Sequence, residues 1–294
     1  MAFFLPFENN SAPVPYVESM NTLLIGIILC SGLAAAQDAK SLPEVKDLQA
    51  RAVANFHKSE KDRERYICTE RIENDELDSK GTIKKRHLRE RELFYVNGFA
   101  VSQDISKDGQ ALKSGDKSKE DARVKAEIDA ASVHKKPKEQ GIVVNAGDIV
   151  KLATLTNERR IPVSGRPTIV FDVVSDPAAK ADNFEQKLVR AMEGTISIDE
   201  ATGNIQDVDT HGVRDVKMGG GVLLNVHKGY RTHMLVAPQG KEGIWILVLA
   251  EGSGNGRAGL FLTGGVTFKQ ETLGCKVFDV NAEAKTKSDS IKKD

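Results

Sequence analysis

The only phosphate-binding pattern in the chain is a glycine-rich segment, Gly254-Asn255-Gly256-Arg257-Ala258-Gly259, which fits G-x-G-x-x-G. A dinucleotide site needs such glycines to open a helix, because the helix amides then face the pyrophosphate. Here the next residues are Leu260-Phe261-Leu262-Thr263, which are typical of a strand. The pattern therefore predicts a glycine-rich hairpin loop, and we expect no nucleotide cofactor.

Residues that could bind a metal or catalyse a reaction do not occur at useful spacings. His211, His227 and His233 could converge on a sheet, but no histidine pair has the i,i+4 spacing of a helical metal site, and no Cys-x-x-Cys is present. Asp199 and Glu200 are adjacent carboxylates at a turn, where aspartate commonly bonds its own backbone. No nucleophile elbow and no catalytic Cys/His signature occurs. The sequence therefore predicts a protein that is not an enzyme and holds no metal or other cofactor.

Two cysteines, Cys68 and Cys275, lie near opposite ends of the expected domain. In an oxidising compartment such a pair can persist as a disulfide, and the long loop that it closes would stabilise the fold by roughly 4–5 kcal/mol in the chain-entropy model. Two separate buried thiols are the alternative, because spacing alone does not decide between them.

The compartment is predicted by residues 20–36, MNTLLIGIILCSGLAAA. An apolar core is followed by Ala34-Ala35-Ala36, the small-residue pattern of a signal-peptidase site. The run is shorter than the roughly 20 apolar residues that span a bilayer, although an uncleaved N-terminal anchor is the alternative. Cys30 follows the bulky Leu29, which argues against lipidation. We expect residues 1–36 to comprise an over-extended start and a cleaved signal peptide, and the protein to be periplasmic.

Charge and composition exclude further classes of function. The chain has 42 basic and 42 acidic residues, so no basic excess points to a nucleic-acid partner. Residues 282–294 contain almost no apolar side chains and are expected to be a disordered tail. One domain is therefore predicted over residues 37–281.

The hydrophobic pattern predicts a helix, three strands that begin with Tyr66–Leu77, further helices, a hairpin and then a run of strands. Ser41-Leu42-Pro43-Glu44 resembles a capping box and predicts a helix that runs to about His57. Asn97-Gly98 is the strongest hairpin signal, because a type I′ turn needs positive φ at both central positions. From Gly194 onward, turn signals recur at the spacing of an antiparallel meander. Segregated helices and antiparallel strands indicate an α+β fold.

The strand Ile244-Trp245-Ile246-Leu247-Val248-Leu249-Ala250 is apolar on both faces. A sheet with one face in water should alternate between apolar and polar residues, so this strand needs cover on both sides. The cover could be a helix over a central core strand, or an apolar ligand in a cavity.

Together these features resemble the LolA-like superfamily, in particular its outer-membrane lipoprotein-sorting members. The resemblance is carried by the segments Tyr66-Ile67-Cys68-Thr69-Glu70, Leu93-Phe94-Tyr95-Val96-Asn97-Gly98, Glu193-Gly194-Thr195-Ile196-Ser197-Ile198-Asp199-Glu200 and Gly219-Gly220-Gly221-Val222-Leu223-Leu224-Asn225-Val226-His227-Lys228-Gly229. It implies a strongly curved antiparallel sheet, an unclosed β-barrel, with helices on its concave side. It also implies that acyl chains of lipids or lipoproteins bind in that concavity, for outer-membrane sorting.

We therefore assign a set of strand residues as candidates for lining a lipid cavity: Ile196, Ile198, Leu224, Trp245, Leu247, Leu249 and Phe261. A different class of function stays open: a non-enzymatic envelope interaction or sensor module, whose concavity is filled by its own helices and whose partners are envelope proteins.

Overall fold

A long, highly curled antiparallel sheet dominates the protein. The computed structural model describes residues 41–134, 145–163, 165–221, 223–240, 243–258 and 262–277. Its strands within those ranges are β1 (Tyr66–Leu77), β2 (Ile83–Val96), β3 (Phe99–Lys107), β4 (Gln110–Ala111), β5 (Thr154–Val163), β6 (Arg166–Val174), β7 (Met192–Asp199), β8 (Ile205–Gly212), β9 (Val216–Met218), β10 (Leu224–Val226), β11 (Arg231–Gln239), β12 (Ile244–Ala258) and β13 (Leu262–Val277). The helices are α1 (Val45–Arg63), α2 (Ser114–Ser132), α3 (Ala146–Leu152) and α4 (Phe184–Val189), with a 3-10 turn at Gly219–Gly221.

The sheet order is β4-β3-β2-β1-β13-β12-β11-β8-β7-β6-β5, with β10 pairing with β12 and with β9. The first and last strands of the chain's long meander, β1 and β13, are neighbours, whereas β4 and β5 form two open edges. The sheet is therefore unclosed, and the predicted α+β half-barrel is confirmed.

The main core lies between the sheet and two of its helices. Leu48 and Ala52 of α1, together with Ile149 of α3, are fully buried against the central strands. The strand side chains beneath them include Ile169, Phe171, Ile196, Ile198 and Val208, each with no exposed surface. Burying one such side chain stabilises the fold by about 1.5–3 kcal/mol, so this layer holds α1 and α3 in the concavity.

The helix α4 packs in a second cluster at another part of the sheet. Phe184 and Leu188 contact Met192, Val216 and Tyr230 there. The hydroxyl of Tyr230 donates to the carbonyl oxygen of Leu188 at 2.8 Å, which satisfies its polar end inside the cluster.

The Asn97-Gly98 hairpin is confirmed, with φ of 49° and 81° at the two positions. The predicted capping box is wrong. The helix α1 begins at Val45 with Glu44 as its N-cap, no side chain caps it, and it continues to Arg63. The carbonyl of Ser41 instead accepts a hydrogen bond from the Arg160 guanidinium at 3.0 Å.

The glycine-rich hairpin loop predicted at Gly254–Gly259 is also wrong. Residues 254–257 continue β12, which pairs with β13 on one side and with β10 on the other. A Cβ on Gly256 would lie 2.6 Å from the carbonyl oxygen of Asn225, so the glycine permits a close approach between strands. The next described element is a strand, β13, and not the helix that a dinucleotide site would need.

Several predictions fall on residues that the structure does not describe. They are the signal peptide within residues 1–36, the tail at 282–294, and the candidate Phe261. Within the described residues, no helix is long and apolar enough to cross a membrane.

Candidate functional site

An apolar cavity of about 180 Å³ lies between α1 and the strands β11 and β12. Its apolar lining consists of Phe56, Ala146, Ile205, Met234, Val236, Trp245 and Leu247. Its polar lining includes Ser59, Glu60, Arg63, Asn145 and Asn204, which come from α1 and from the ends of α3 and β8. The cavity thus offers apolar contacts inside and hydrogen-bonding groups beside them, the composition of a small amphiphile site.

The cavity exists because β12 buries both of its faces, as the sequence predicts. Trp245 and Leu247 line the cavity, whereas Ile244 and Ile246 pack with Tyr66 of β1 in a separate apolar cluster. A β-bulge in the β11–β12 pairing then changes the alternation. Leu235 pairs with Leu249 and Val236 pairs with Leu247, which leaves Val248 as the extra residue.

Beyond the bulge, Ala250 rather than Leu249 belongs to the main core. Leu249 is half-buried and does not line the cavity. The structure therefore brings together Trp245 and Leu247 of the predicted lining residues.

The other predicted residues lie elsewhere. Ile196 and Ile198 are fully buried in the main core under the helices. Leu224 packs against the α4 cluster. The cavity has five further apolar lining residues that are not among the candidates predicted from the sequence: Phe56, Ala146, Ile205, Met234 and Val236. Phe56 belongs to the apolar stripe of α1, so helical periodicity could have placed it on the sheet side.

The first half of α1 donates side-chain hydrogen bonds to the turn between β7 and β8. Arg51 donates to the carbonyl oxygen of Ala201 at 3.3 Å, and Asn55 donates to that of Thr202 at 2.7 Å. Gln49 also donates to the carbonyl oxygen of Val150 on α3. These contacts fix the part of α1 that precedes the cavity.

The second half of α1 has a different kind of contact. The ring of Phe56 rests on Gly147 of α3, where a Cβ would lie 2.6 Å from the ring. Further along, the guanidinium of Arg63 lies over the ring of Tyr95 at 6.0 Å from its centre. Phe56 also packs against the main core, so apolar and aromatic contacts hold this half of the helix.

A second, polar cavity of about 540 Å³ shares Glu60 and Arg63 with the first. It lies between the end of α1 and the β2–β3 hairpin, and its other lining residues are His57, Lys61, Glu64, Tyr95, Gly98 and Ala100. Burial raises the pKa of Tyr95, which keeps its hydroxyl protonated and able to donate. An apolar cavity and a polar cavity thus adjoin at Glu60 and Arg63, on adjacent sides of α1.

Next to the apolar cavity, Trp245 contacts an ion pair between partly exposed Arg166 and buried Asp199. The guanidinium of Arg166 lies 5.6 Å from the centre of its ring and donates from Nε to Asp199 at 2.6 Å. Burial of Asp199 alone would raise its pKa, but hydrogen bonds from Arg166 and Thr202 outweigh burial and lower it. Asp199 and its neighbour Glu200, which pairs with Arg160 at 2.7 Å, are therefore each held in an ion pair with an arginine.

A disulfide joins Cys68 of β1 to Cys275 of β13, with their Cα atoms 4.1 Å apart. The two residues are direct cross-strand partners, so the bond links the first and last strands of the domain.

The three histidines weighed as metal ligands do not converge. His227 pairs with Asp215, whereas His233 lies between Asp207 and Glu251. Among the residues described, no group of three or more His, Cys, Asp or Glu side chains is arranged to hold a metal ion.

Neither a protein-family model nor a curated protein matches the chain. Solved structures do match it. One is a crystal structure from Vibrio parahaemolyticus described as a "putative outer membrane lipoprotein-sorting protein domain". The match covers 79% of this chain and 96% of that one, at 10% sequence identity and a TM-score of 0.35. The description is that of the family which the sequence resembles, and at this TM-score the likeness carries no argument about activity.

Proposed function

We propose that the protein binds acyl chains of lipids or lipoproteins in the apolar cavity between α1 and the strands β11 and β12. The observation that carries this proposal is the cavity's lining, in which Trp245, Leu247 and five further apolar side chains face one space. Each methylene buried there would contribute about 0.8 kcal/mol of binding free energy. No chemical step is needed for such a role, and we propose a non-enzymatic function.

The size of the cavity indicates how a chain would enter. About 180 Å³ is more than the roughly 150 Å³ that binds benzene in an engineered cavity, but less than the roughly 300 Å³ at the lower end of small-molecule sites. The closed form therefore accepts only the end of an acyl chain. A longer chain requires the second half of α1, from Phe56 onward, to move away from the sheet while Arg51 and Asn55 hold the first half.

A second function is favoured by how completely the concavity is filled. Leu48, Ala52, Ile196 and Ile198 leave no space between α1 and the central strands. This observation supports an envelope interaction or sensor module whose concavity is occupied by its own helices. The two functions differ in whether lipid occupies the cavity, which can be measured.

We further propose that the protein is exported through the signal peptide predicted in residues 1–36 and acts in the periplasm in sorting to the outer membrane. The compartment is supported by the sequence pattern at Ala34-Ala35-Ala36 and by the paired cysteines. Amino-terminal analysis of the exported protein should show Gln37 as the first residue. A mature protein that retains Cys30 would contradict the proposed processing.

A cavity-filling substitution tests the lipid site. In Val236→Phe the larger side chain should occupy the cavity and weaken binding of a fluorescent fatty acid by about tenfold or more, because several methylene contacts are lost. Val266→Phe is the matched control, since Val266 is 55% exposed and does not line the cavity.

Wild type and the Val266→Phe variant should bind the fluorescent fatty acid equally well. Circular dichroism should show that both variants are folded. If folded Val236→Phe protein bound the probe as tightly as wild type, the cavity would not be the binding site.

A further inference from the structure

We propose that Arg63 and the polar cavity around it bind the singly charged anionic group of the amphiphile, a carboxylate or a phosphodiester, whose tail enters the apolar cavity. This inference rests on the proposed function and adds the class of ligand. It starts from the position of Arg63, which lines both cavities.

The guanidinium of Arg63 is half-buried and is available to a ligand. Its contact within the described residues is the face of the Tyr95 ring, and it forms no ion pair with a described carboxylate. Other arginines do pair with carboxylates, as Arg91 does with Glu70 at 2.8 Å and Arg166 does with Asp199 at 2.6 Å. A half-buried guanidinium without a carboxylate presents a planar set of N–H donors, which matches carboxylate and phosphate oxygens.

The neighbouring groups limit the charge of the ligand. Lys61 adds a second cation to the polar cavity, and Tyr95 contributes a protonated hydroxyl. Glu60 and Glu64 line the same cavity, and Glu60 already pairs with His57 at 3.3 Å. The two carboxylates would repel a group with two negative charges, so a singly charged head group fits best.

The two cavities flank adjacent sides of α1 and meet at Glu60 and Arg63, which border both of them. The apolar cavity alone is bordered by Phe56 and Ser59, and the polar cavity alone is bordered by His57, Lys61 and Glu64. An amphiphile that crosses this boundary would place its tail near Phe56 and Trp245 and its charged group at Arg63.

Matched ligands test the inference. Dodecanoate, dodecanol and dodecyl lysophosphatidylglycerol share an alkyl tail and differ in the head group, and each can displace N-phenyl-1-naphthylamine, an uncharged fluorescent probe. Wild type should bind the two anionic ligands about tenfold more tightly than dodecanol, as expected for charge-assisted hydrogen bonds. In Arg63→Gln the ratio of anionic-ligand affinity to dodecanol affinity should fall to about one; comparing the ratio within each variant cancels any general effect of losing the Arg63–Tyr95 contact.

Lys58→Ala is the control variant, because Lys58 is an exposed residue of the same helix that pairs with Asp62 and lines neither cavity. It removes one positive charge and should keep the preference for anionic ligands. Millimolar inorganic phosphate should not displace the lipids; if it did so as well as the lysophospholipid does, the site would bind a free anion and the head-group inference would be wrong.

The remaining outcomes separate this inference from the proposed function. If wild type bound all three amphiphiles equally, or if Arg63→Gln kept the preference, the inference would fail and acyl-chain binding would stand. If no amphiphile displaced the probe, both would fail.

Discussion

At the scale of single residues, the outer face of the sheet carries a row of alternating charges. Asp209, His233, Glu251, Lys269 and Glu73 are successive cross-strand partners on five adjacent strands. Opposite charges that face each other across strands contribute roughly 0.2–1 kcal/mol per pair. This row keeps the sheet's solvent face polar while the opposite face is apolar, which fixes the register of the strands.

His233 makes this row sensitive to pH. Its ring nitrogens lie 3.3 Å from Asp207 and 3.3 Å from Glu251. Burial alone would lower its pKa, but the hydrogen bonds to Glu251 and Asp207 outweigh burial and raise it. A raised pKa in the folded state gives stability that is fully present below the unfolded value of about 6.5 and is lost as the pH rises through the folded value.

We therefore expect His233→Gln to reduce the free energy of unfolding more at acidic pH than at alkaline pH. Urea unfolding of wild type and variant at a series of pH values measures this difference. In an Asp207→Asn background the pH dependence should shrink, because one of the two hydrogen-bonded carboxylates is gone. Equal destabilisation across the range would contradict the assignment.

Gly194 is a position where the backbone requires glycine. Its φ is +154°, and a Cβ there would lie 2.0 Å from the carbonyl oxygen of Asp209. Gly194→Ala should lower the free energy of unfolding by about 2 kcal/mol or more, because the strands β7 and β8 must separate locally. Gly115→Ala is the control, since no atom lies within 4 Å of a Cβ at this helical position. The control should be neutral or slightly stabilising, and the account of Gly194 fails if the two variants behave alike.

At the scale of elements, the pairing of β1 with β13 joins the strands β1 to β4 to the rest of the sheet. The two strands pair over twelve positions of β1, and the disulfide Cys68–Cys275 joins residues separated by 207 positions in sequence. A cross-link that closes so long a loop restricts the unfolded chain strongly.

Reducing this bond should therefore lower the free energy of unfolding by about 2–5 kcal/mol. Denaturation with and without a reductant measures the loss, and the Cys68→Ser/Cys275→Ser double variant should match the reduced protein. The unfolded, unreduced protein should show two fewer free thiols than it has cysteines. A full thiol count would contradict the bond.

The elements also show what the sequence can predict. The strand Tyr66–Leu77 and the Asn97-Gly98 turn were predicted with the bounds that the structure has, because alternation and turn chemistry are local signals. The pattern of apolar residues also predicts one strand over residues 222–236, where the structure has β10 and β11 with a turn between them. The sequence predicts a loop at the glycines of β12, because the strand pairing that keeps them extended involves residues distant in sequence.

The candidate site was predictable to a similar extent. Trp245 and Leu247 followed from a strand that is apolar on both faces, which is a local signal. Met234 and Val236 were missed because their place at the cavity depends on the register and bulge between β11 and β12. The position of Phe56 depends on where α1 crosses the sheet, and single-sequence periodicity gives the face of a helix but not its crossing point.

At the scale of the whole molecule, one curled sheet holds two helices in its concavity and leaves an unfilled space where α1 passes over β12. The first half of α1 is held by hydrogen bonds and by fully buried Leu48 and Ala52, and the second half borders both cavities. The molecule therefore combines a rigid core with a neighbouring site that a ligand could enlarge.

The chain contains a single tryptophan, Trp245, and it lines the cavity, so its fluorescence reports directly on the central claim. A fatty acid brominated along its chain quenches tryptophan at short range, whereas the same acid without bromine does not. We predict that the brominated acid quenches Trp245 saturably in wild type and much less in Val236→Phe. If the brominated and plain acids had the same effect on Trp245 emission at concentrations where the acid is bound, acyl chains would not enter this cavity and the account would be contradicted.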